Sequence, residues 1–245
     1  MPRLHLLEIH DFPWCPASLR DALTDFLQFT INLGRSYDGV LPMLRDAVAR
    51  AGATRVVDLC SGAGGPWRAW SRERGGVAPG FTVPVVLTDK YPNRLAHPVA
   101  VDATAVPPDL EGFRTLFTSF HHFRPAEARA ILADAVRQGQ GIGVFEISRR
   151  APREIAVIAL TWLAVVAFVP FIRPFRWSRL LWTYLPPVLP FVGLFDGVVS
   201  CLRTYSPSEL RELSHGLDTY DWQVGVTRSS WSPLAVTYLV GVPKR

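Results

Sequence analysis

Hydrophobic positions along the chain keep two different rhythms. Between Ser18 and Phe29, "SLRDALTDFLQF" places Leu19, Ala22, Leu23, Phe26 and Leu27 at helical spacing, with Ser18 as N-cap. "LPMLRDAVARAG", Leu41 to Gly52, repeats that period and stops at glycine. From there, short apolar runs alternate with helical patterns. "TRVVDL" (54–59) reads as a buried strand ending in a glycine turn, and "WRAWSRERGG" (67–76) as a short helix. "VPVVLTD" (83–89) is a second strand, "PVAVDA" (98–103) a short third, "FRTLFTSF" (113–120) a fourth and "GIGVFEIS" (141–148) a fifth. The helix "PAEARAILADAVRQG" (125–139), capped by Gly139, separates the last two. This alternation predicts a parallel sheet covered by helices on both faces. "SPSELRELSHG" (206–216) has Ser206 as N-cap, Pro207 at the first helical position and Glu209 completing a capping box. "DWQVGVTR" (221–228) and "AVTYLVGVP" (235–243) close the chain as a hairpin at the sheet edge.

One region breaks the rhythm. Ile155 to Ile172 is 18 residues without a charge, and Leu180 to Phe195 a further 16. The first run is at the lower edge of what spans a bilayer, about 17–25 residues. The second holds Pro186, Pro187 and Pro190, which spoil a continuous helix. Arg149, Arg150 and Arg153 flank one side of the insert; Arg173, Arg176 and Arg179 lie between its two runs. Trp162, Trp177, Trp182 and Tyr184 suit headgroup depth. Asp196 follows the second run, where an acid marks an aqueous boundary or a site.

Composition narrows the class. A chain of 245 residues fits one domain, or one with an insertion. Its hydrophobic fraction of 49% is high for a soluble protein. The net charge of +5 admits nucleic acid or an anionic membrane as partner without choosing between them. Cys15, Cys60 and Cys201 are odd in number and widely spaced, which argues against a disulfide framework, a zinc site or an iron–sulfur cluster. They fit a reducing cytosol. The opening "MPRLHLLEIHDFPWCP" lacks the apolar core of a secretory signal.

The chemistry concentrates at "RVVDLCSGAGGPW", Arg55 to Trp67. A strand feeding a helix through glycines permits positive φ, close ligand approach and anion binding by free amides. No Lys-Ser or Lys-Thr follows, so a P-loop is excluded. Trp67 stands where a dinucleotide motif needs a small residue, which disfavours that fold. The stretch "VVDLCSGAGG" instead resembles motif I of the class I (Rossmann-like) S-adenosylmethionine-dependent methyltransferases, with Asp58 at the acidic position, Gly62 and Gly64 at the last two glycines, and Cys60 in place of the first. "VVLTDKYPN" resembles the second motif, whose acid, Asp89, would hold the ribose hydroxyls. It lies 25 residues beyond Gly64, and the loop "RGGVAPGF" (74–81) could absorb that excess. "VDATAVP" resembles the third, where Asp102 would meet the adenine amino group with Ala103 beside it. "RTYSPSELREL" resembles the helix before the last two strands.

The resemblance implies S-adenosylmethionine as cofactor, bound by Asp58, Ser61, Gly62, Gly64, Asp89, Lys90, Asp102, Ala103 and Ser119. It implies a seven-stranded, mostly parallel Rossmann-like sheet with an antiparallel edge hairpin. The chain then divides into a helical cap (1–52), a cofactor core (53–150), the apolar insert (151–201) as lid or membrane segment, and a C-terminal part (202–245). Trp14, Tyr37 and Asp38 belong to the cap, with Tyr37 expected to pack in the core.

The strand-four loop "TSFHHF" lacks the (N/D)-P-P-(Y/F) of nucleic-acid methylating relatives, so nucleic acid is disfavoured as acceptor. His121 and His122 are candidate general bases, with His122 favoured. Glu146 reads as a hydrogen-bonded structural acid. No metal ligand set is expected. The expected function is methyl transfer to a hydrophobic or lipid-like acceptor at an anionic membrane surface, with the protein cytoplasmic and peripheral or partly inserted. Two alternatives remain. One is a non-catalytic membrane-associated binding protein; the other is a methyltransferase of a soluble polar metabolite using the insert as an oligomer interface.

Overall fold

The structure, a computed structural model, describes residues 1–72, 83–91 and 100–244. In chain order its elements are α1 (Ala17–Leu33), α2 (Leu41–Arg50), β1 (Val56–Leu59), α3 (Trp67–Arg72), β2 (Val85–Leu87) and β3 (Phe113–Phe117). Then come α4 (Pro125–Arg137), β4 (Ile142–Glu146), α5 (Pro152–Ala159), α6 (Thr161–Phe168), α7 (Trp177–Tyr184) and α8 (Val188–Arg203). The chain closes with α9 (Pro207–Ser214), β5 (Tyr220–Arg228) and β6 (Ala235–Pro243).

Among the described residues the sheet has six strands in the order β2-β1-β3-β4-β6-β5. β1 pairs in parallel with β2 and β3, and β3 with β4. β6 runs antiparallel between β4 and β5, so the expected hairpin forms the edge. The expected third strand is not seen at Ala100–Ala103, which is loop and turn; residues 98 and 99 lie outside the described residues, as does the loop 74–81.

The strands alternate between two cores because successive side chains leave opposite faces. Val57, Leu59, Leu116, Ile142 and Val144 pack against Ile131, Leu132 and Ala135 of α4 and Leu210 of α9. Val56, Phe113, Phe117 and Phe145 pack against Leu44 and Val48 of α2 and Trp67 and Trp70 of α3. The result is a Rossmann-like three-layer α/β fold whose parallel strands end together.

Helix starts were legible where a side chain does the capping. Ser206 Oγ accepts from the Glu209 amide and the Glu209 carboxylate accepts from the Ser206 amide, completing the capping box. Ser18 corrects the expectation. α1 begins at Ala17 after Pro16, and the Ser18 hydroxyl instead accepts from Trp182 Nε1 at 3.0 Å.

The insert is helical throughout. α5 and α6 follow one another with a break at Leu160, and Pro152–Phe171 together are long and apolar enough to cross a membrane, though only 22% of that stretch is buried. α7 and α8 are bent by 79° at the proline pair. One face packs on α1: Val165, Val169, Ile172, Leu189 and Val192 form a core with Leu19, Leu23 and Phe26. The other face is bare. Trp162, Phe171, Phe175, Trp177, Leu185 and Phe191 are all exposed.

Candidate functional site

The glycine turn leaves β1 at the carboxyl end of the sheet. Gly62 (φ +50°), Gly64 (+95°) and Gly65 (+45°) take left-handed backbone there, and Cys60 does too at +55°. That explains why the family motif favours glycine at this position: a side chain there is strained by about 1–2 kcal/mol. Among the described residues, a Cβ added to Gly62 would meet nothing within 4 Å. Thr118, at the end of β3, is a second non-glycine residue in this region at φ +47°. A β-branched residue there is a strained outlier, and such strain gathers at functional sites.

Of the predicted cofactor residues, the structure brings Gly62 and Asp89 together. The Gly62 amide donates to Asp89 Oδ2 at 2.9 Å, and the Tyr91 amide donates to Oδ1 at 3.0 Å. Both carboxylate oxygens are thereby oriented, each keeping acceptor capacity, and the side chain stays half-buried. Asp102 Oδ1 accepts from the Thr104 amide and hydroxyl, while Oδ2 pairs with Lys90 Nζ at 3.0 Å. Those Thr104 hydrogen bonds, with Lys90, hold the Asp102 carboxyl down at about 2. Ala103 is buried beside it.

Asp58 and Ser61, the other two polar residues expected at the turn, sit beneath it and bond within the sheet. Asp58 is 1% exposed, and its Oδ1 accepts from the Thr115 hydroxyl at 2.6 Å, across the β1–β3 register. Burial pushes its carboxyl up to about 6, opposed by Thr115, Ser61 and Trp67. Ser61 Oγ donates to the Asp58 carbonyl and accepts from the Thr88 amide, clamping the tips of β1 and β2. Both residues shape the turn from beneath. Gln28, which the sequence did not single out, reaches from α1 to donate to the Gly65 carbonyl, placing the helical cap on the turn. Tyr37 packs in the core as expected, its hydroxyl against Thr118.

Beyond Thr118 the loop folds into a 3-10 turn, Phe120–His122. Glu146, at the tip of β4, caps it: Oε1 accepts from the amides of Ser119, Phe120 and His121 at 3.1, 2.7 and 3.2 Å. Its other oxygen meets His121 Nδ1 at 2.7 Å. Glu146 is therefore the structural acid expected. Ser119 lends this arrangement its amide, and its buried hydroxyl has no hydrogen-bond partner. Burial opposes charge on His121, but Glu146 and Glu8 raise its imidazole to about 9. Charged and fully buried, His121 is poorly suited to act as a general base at neutral pH. His122 differs. Its side chain is 28% exposed, and burial with the His121 charge lowers its pKa, keeping the ring neutral.

The sequence also missed the N-terminal segment that completes this region. Glu8 is buried; His121, His122 and His10 hold its carboxyl at about 2 against the opposing effect of burial. Arg203 Nη1 donates to Glu8 Oε1 at 3.2 Å and to Asp11 Oδ2 at 3.0 Å. Asp196 of α8 accepts from the amides of Ile9 and His10 and meets His10 Nδ1 at 2.8 Å. The only advance signal was the run "EIHD" (8–11), three titratable residues in four.

No protein-family model and no curated protein matches the chain. Among solved structures it is similar to human N-acetylserotonin methyltransferase in complex with SAM, at 13% identity and TM-score 0.48, covering 93% of this chain and 57% of that one. It is similar to a protein from Rhodobacter sphaeroides described as a putative Zn-dependent alcohol dehydrogenase, at 15% identity and TM-score 0.47, covering 93% and 98%. The plantazolicin methyltransferase BpumL in complex with SAH gives 8% identity and TM-score 0.45, covering 92% and 95%. Identities and scores this low leave the functional assignment to the chain's own sheet order and side chains.

Proposed function

We propose that the chain is an S-adenosylmethionine-dependent methyltransferase acting on a hydrophobic, lipid-like acceptor at an anionic membrane surface. The observation that carries the cofactor assignment is the Gly62–Asp89 pair: an open, left-handed glycine turn holding an oriented carboxylate at the tip of the next strand. That is the arrangement a nucleoside with vicinal hydroxyls needs. Asp102 lies next in line for the adenine amino group. Bound there, S-adenosylmethionine supplies a sulfonium-activated methyl group. The protein's work is then to position the acceptor in line and to exclude water, with the α1 cap over the turn and the insert alongside. Of the two histidines, His122 is the one whose ring stays neutral.

The membrane reading is supported by the insert's bare face. Its exposed aromatic residues flank exposed Arg153, Arg173 and Arg176. Arg176 also reaches Asp21 and Asp25 of α1 at 3.6 and 3.7 Å, and the other three flanking arginines are engaged internally: Arg149 with Glu154, Arg150 with Glu209 and Arg179 with Asp25. Packing on α1, whose Asp25 pairs with Arg179, favours lying in the interface over spanning it. Each arginine near an anionic surface adds about 1 kcal/mol.

Calorimetry with S-adenosylhomocysteine tests the cofactor site; wild type should bind and Asp89→Ala should not. Flotation with phosphatidylglycerol vesicles tests the surface. Wild type should float, and the double variant Phe171→Ser, Trp177→Ser should stay with the soluble fraction. Methyl transfer to a lipid extract tests the acceptor; cofactor binding without transfer to any lipid would favour a non-catalytic role or a polar acceptor.

A further inference from the structure

We propose that His10, Asp11 and His122 form a site for a divalent transition-metal ion such as Zn²⁺. Asp11 Oδ1 lies 3.7 Å from His10 Nε2 and 3.5 Å from His122 Nδ1, and the three residues each bring a ligand atom within 4.8 Å of the others. Ligand atoms bonded to zinc at about 2.0–2.1 Å in a tetrahedron stand roughly 3.3 Å apart, so a few tenths of an ångström of closure at the Asp11 contacts would suffice.

Two of the ligands, His10 and Asp11, already have a hydrogen-bonded outer partner of the kind that orients metal ligands. Asp196 takes His10 Nδ1 at 2.8 Å and is itself held by two backbone amides, which leaves the Nε2 lone pair toward Asp11. Glu8 Oε2 lies 3.8 Å behind His122 Nε2. Arg203 holds Asp11 Oδ2, leaving Oδ1 for the metal. The ligand side chains are 24%, 32% and 28% exposed, so an ion has an entry and room for a water or an acceptor oxygen. A second group, Glu8, His121 and His122, is less suited because Glu8 and His121 are buried and Arg203 takes Glu8 Oε1. The absence of a cysteine motif gave no warning, since these ligands come from segments over a hundred residues apart.

The test is titration of the chelator-stripped full chain with Co²⁺ alone, followed by visible absorption, with Zn²⁺ as competitor. One equivalent should bind and be displaced by Zn²⁺. Asp11→Asn, His10→Gln and His122→Gln should each weaken binding at least tenfold, and Asp196→Asn about 10–100-fold. Thermal unfolding of the metal-free variants runs alongside. If either histidine variant fails to fold, Asp11→Asn, on a partly exposed side chain, decides. No saturable signal in wild type would overturn the site. So would a signal that these substitutions leave unchanged, including a thiolate signal from the cysteines.

Discussion

The tips of β1 and β2 and the tips of β3 and β4 hold charge in opposite ways. At the first, Asp89 and Asp102 are partly open to water, and backbone amides orient them. At the second, Glu8, Glu146 and Asp196 are buried and matched by His121, Arg203 and a nest of amides. The first arrangement leaves negative charge available to a ligand. The second consumes it in holding together the loop, the N-terminal segment and α8. Substitutions at the first should therefore alter binding with little effect on the fold, and substitutions at the second should do the reverse.

The sharpest test is Glu146→Ala. It strands three amides and the His121 charge, and should remove about 3–5 kcal/mol of stability. Thermal unfolding should show a fall in midpoint of roughly 10 °C. A smaller loss would mean that this tip is as open as the other. Asp58 probes the boundary, since it serves the open turn from a buried position. Its carboxyl rises from an ordinary 3.8 to about 6, so the folded chain binds that proton more tightly than the unfolded one. The cofactor-free fold is thus favoured at low pH and loses that advantage as pH climbs through 6. The stability of wild type relative to Asp58→Asn should fall by roughly 3 kcal/mol between pH 3.5 and 7. A flat difference would place water at Asp58.

Asp89→Ala should cost about 100-fold in S-adenosylhomocysteine affinity, while moving stability by less than about 1 kcal/mol. Equal losses in both would erase the contrast between the tips. Least affected should be Cys60→Gly. Relief of the left-handed strain and loss of the partly buried thiol oppose each other, for a net change under about 1 kcal/mol in chemical denaturation.

What could be read in advance divides along the same line. Asp58, Gly62, Gly64 and Asp89 lie at or just beyond the ends of β1 and β2, and Asp102 lies in a turn, where local period and turn chemistry announce them. The parallel sheet and the edge hairpin followed from alternation, while the order of the strands did not. Glu8, His10, Asp11 and Arg203 carry no period and no motif; only tertiary packing makes them a group. Ser18 failed for a local reason, because Pro16 already sets the extended entry to α1 and a distant indole claims the hydroxyl.

The N-terminal strap also fixes an order of assembly. The Ile9 amide and the Asp196 carboxylate that accepts from it are 187 residues apart. During synthesis, the sheet from β1 to β4 can close while Glu8 and Asp11 still lack Arg203 and the Ile9 and His10 amides still lack Asp196. The charge cluster is thus a late loop closure, formed only after residue 203 has emerged. Until then two acids and two amides of the strap wait for the far end of α8.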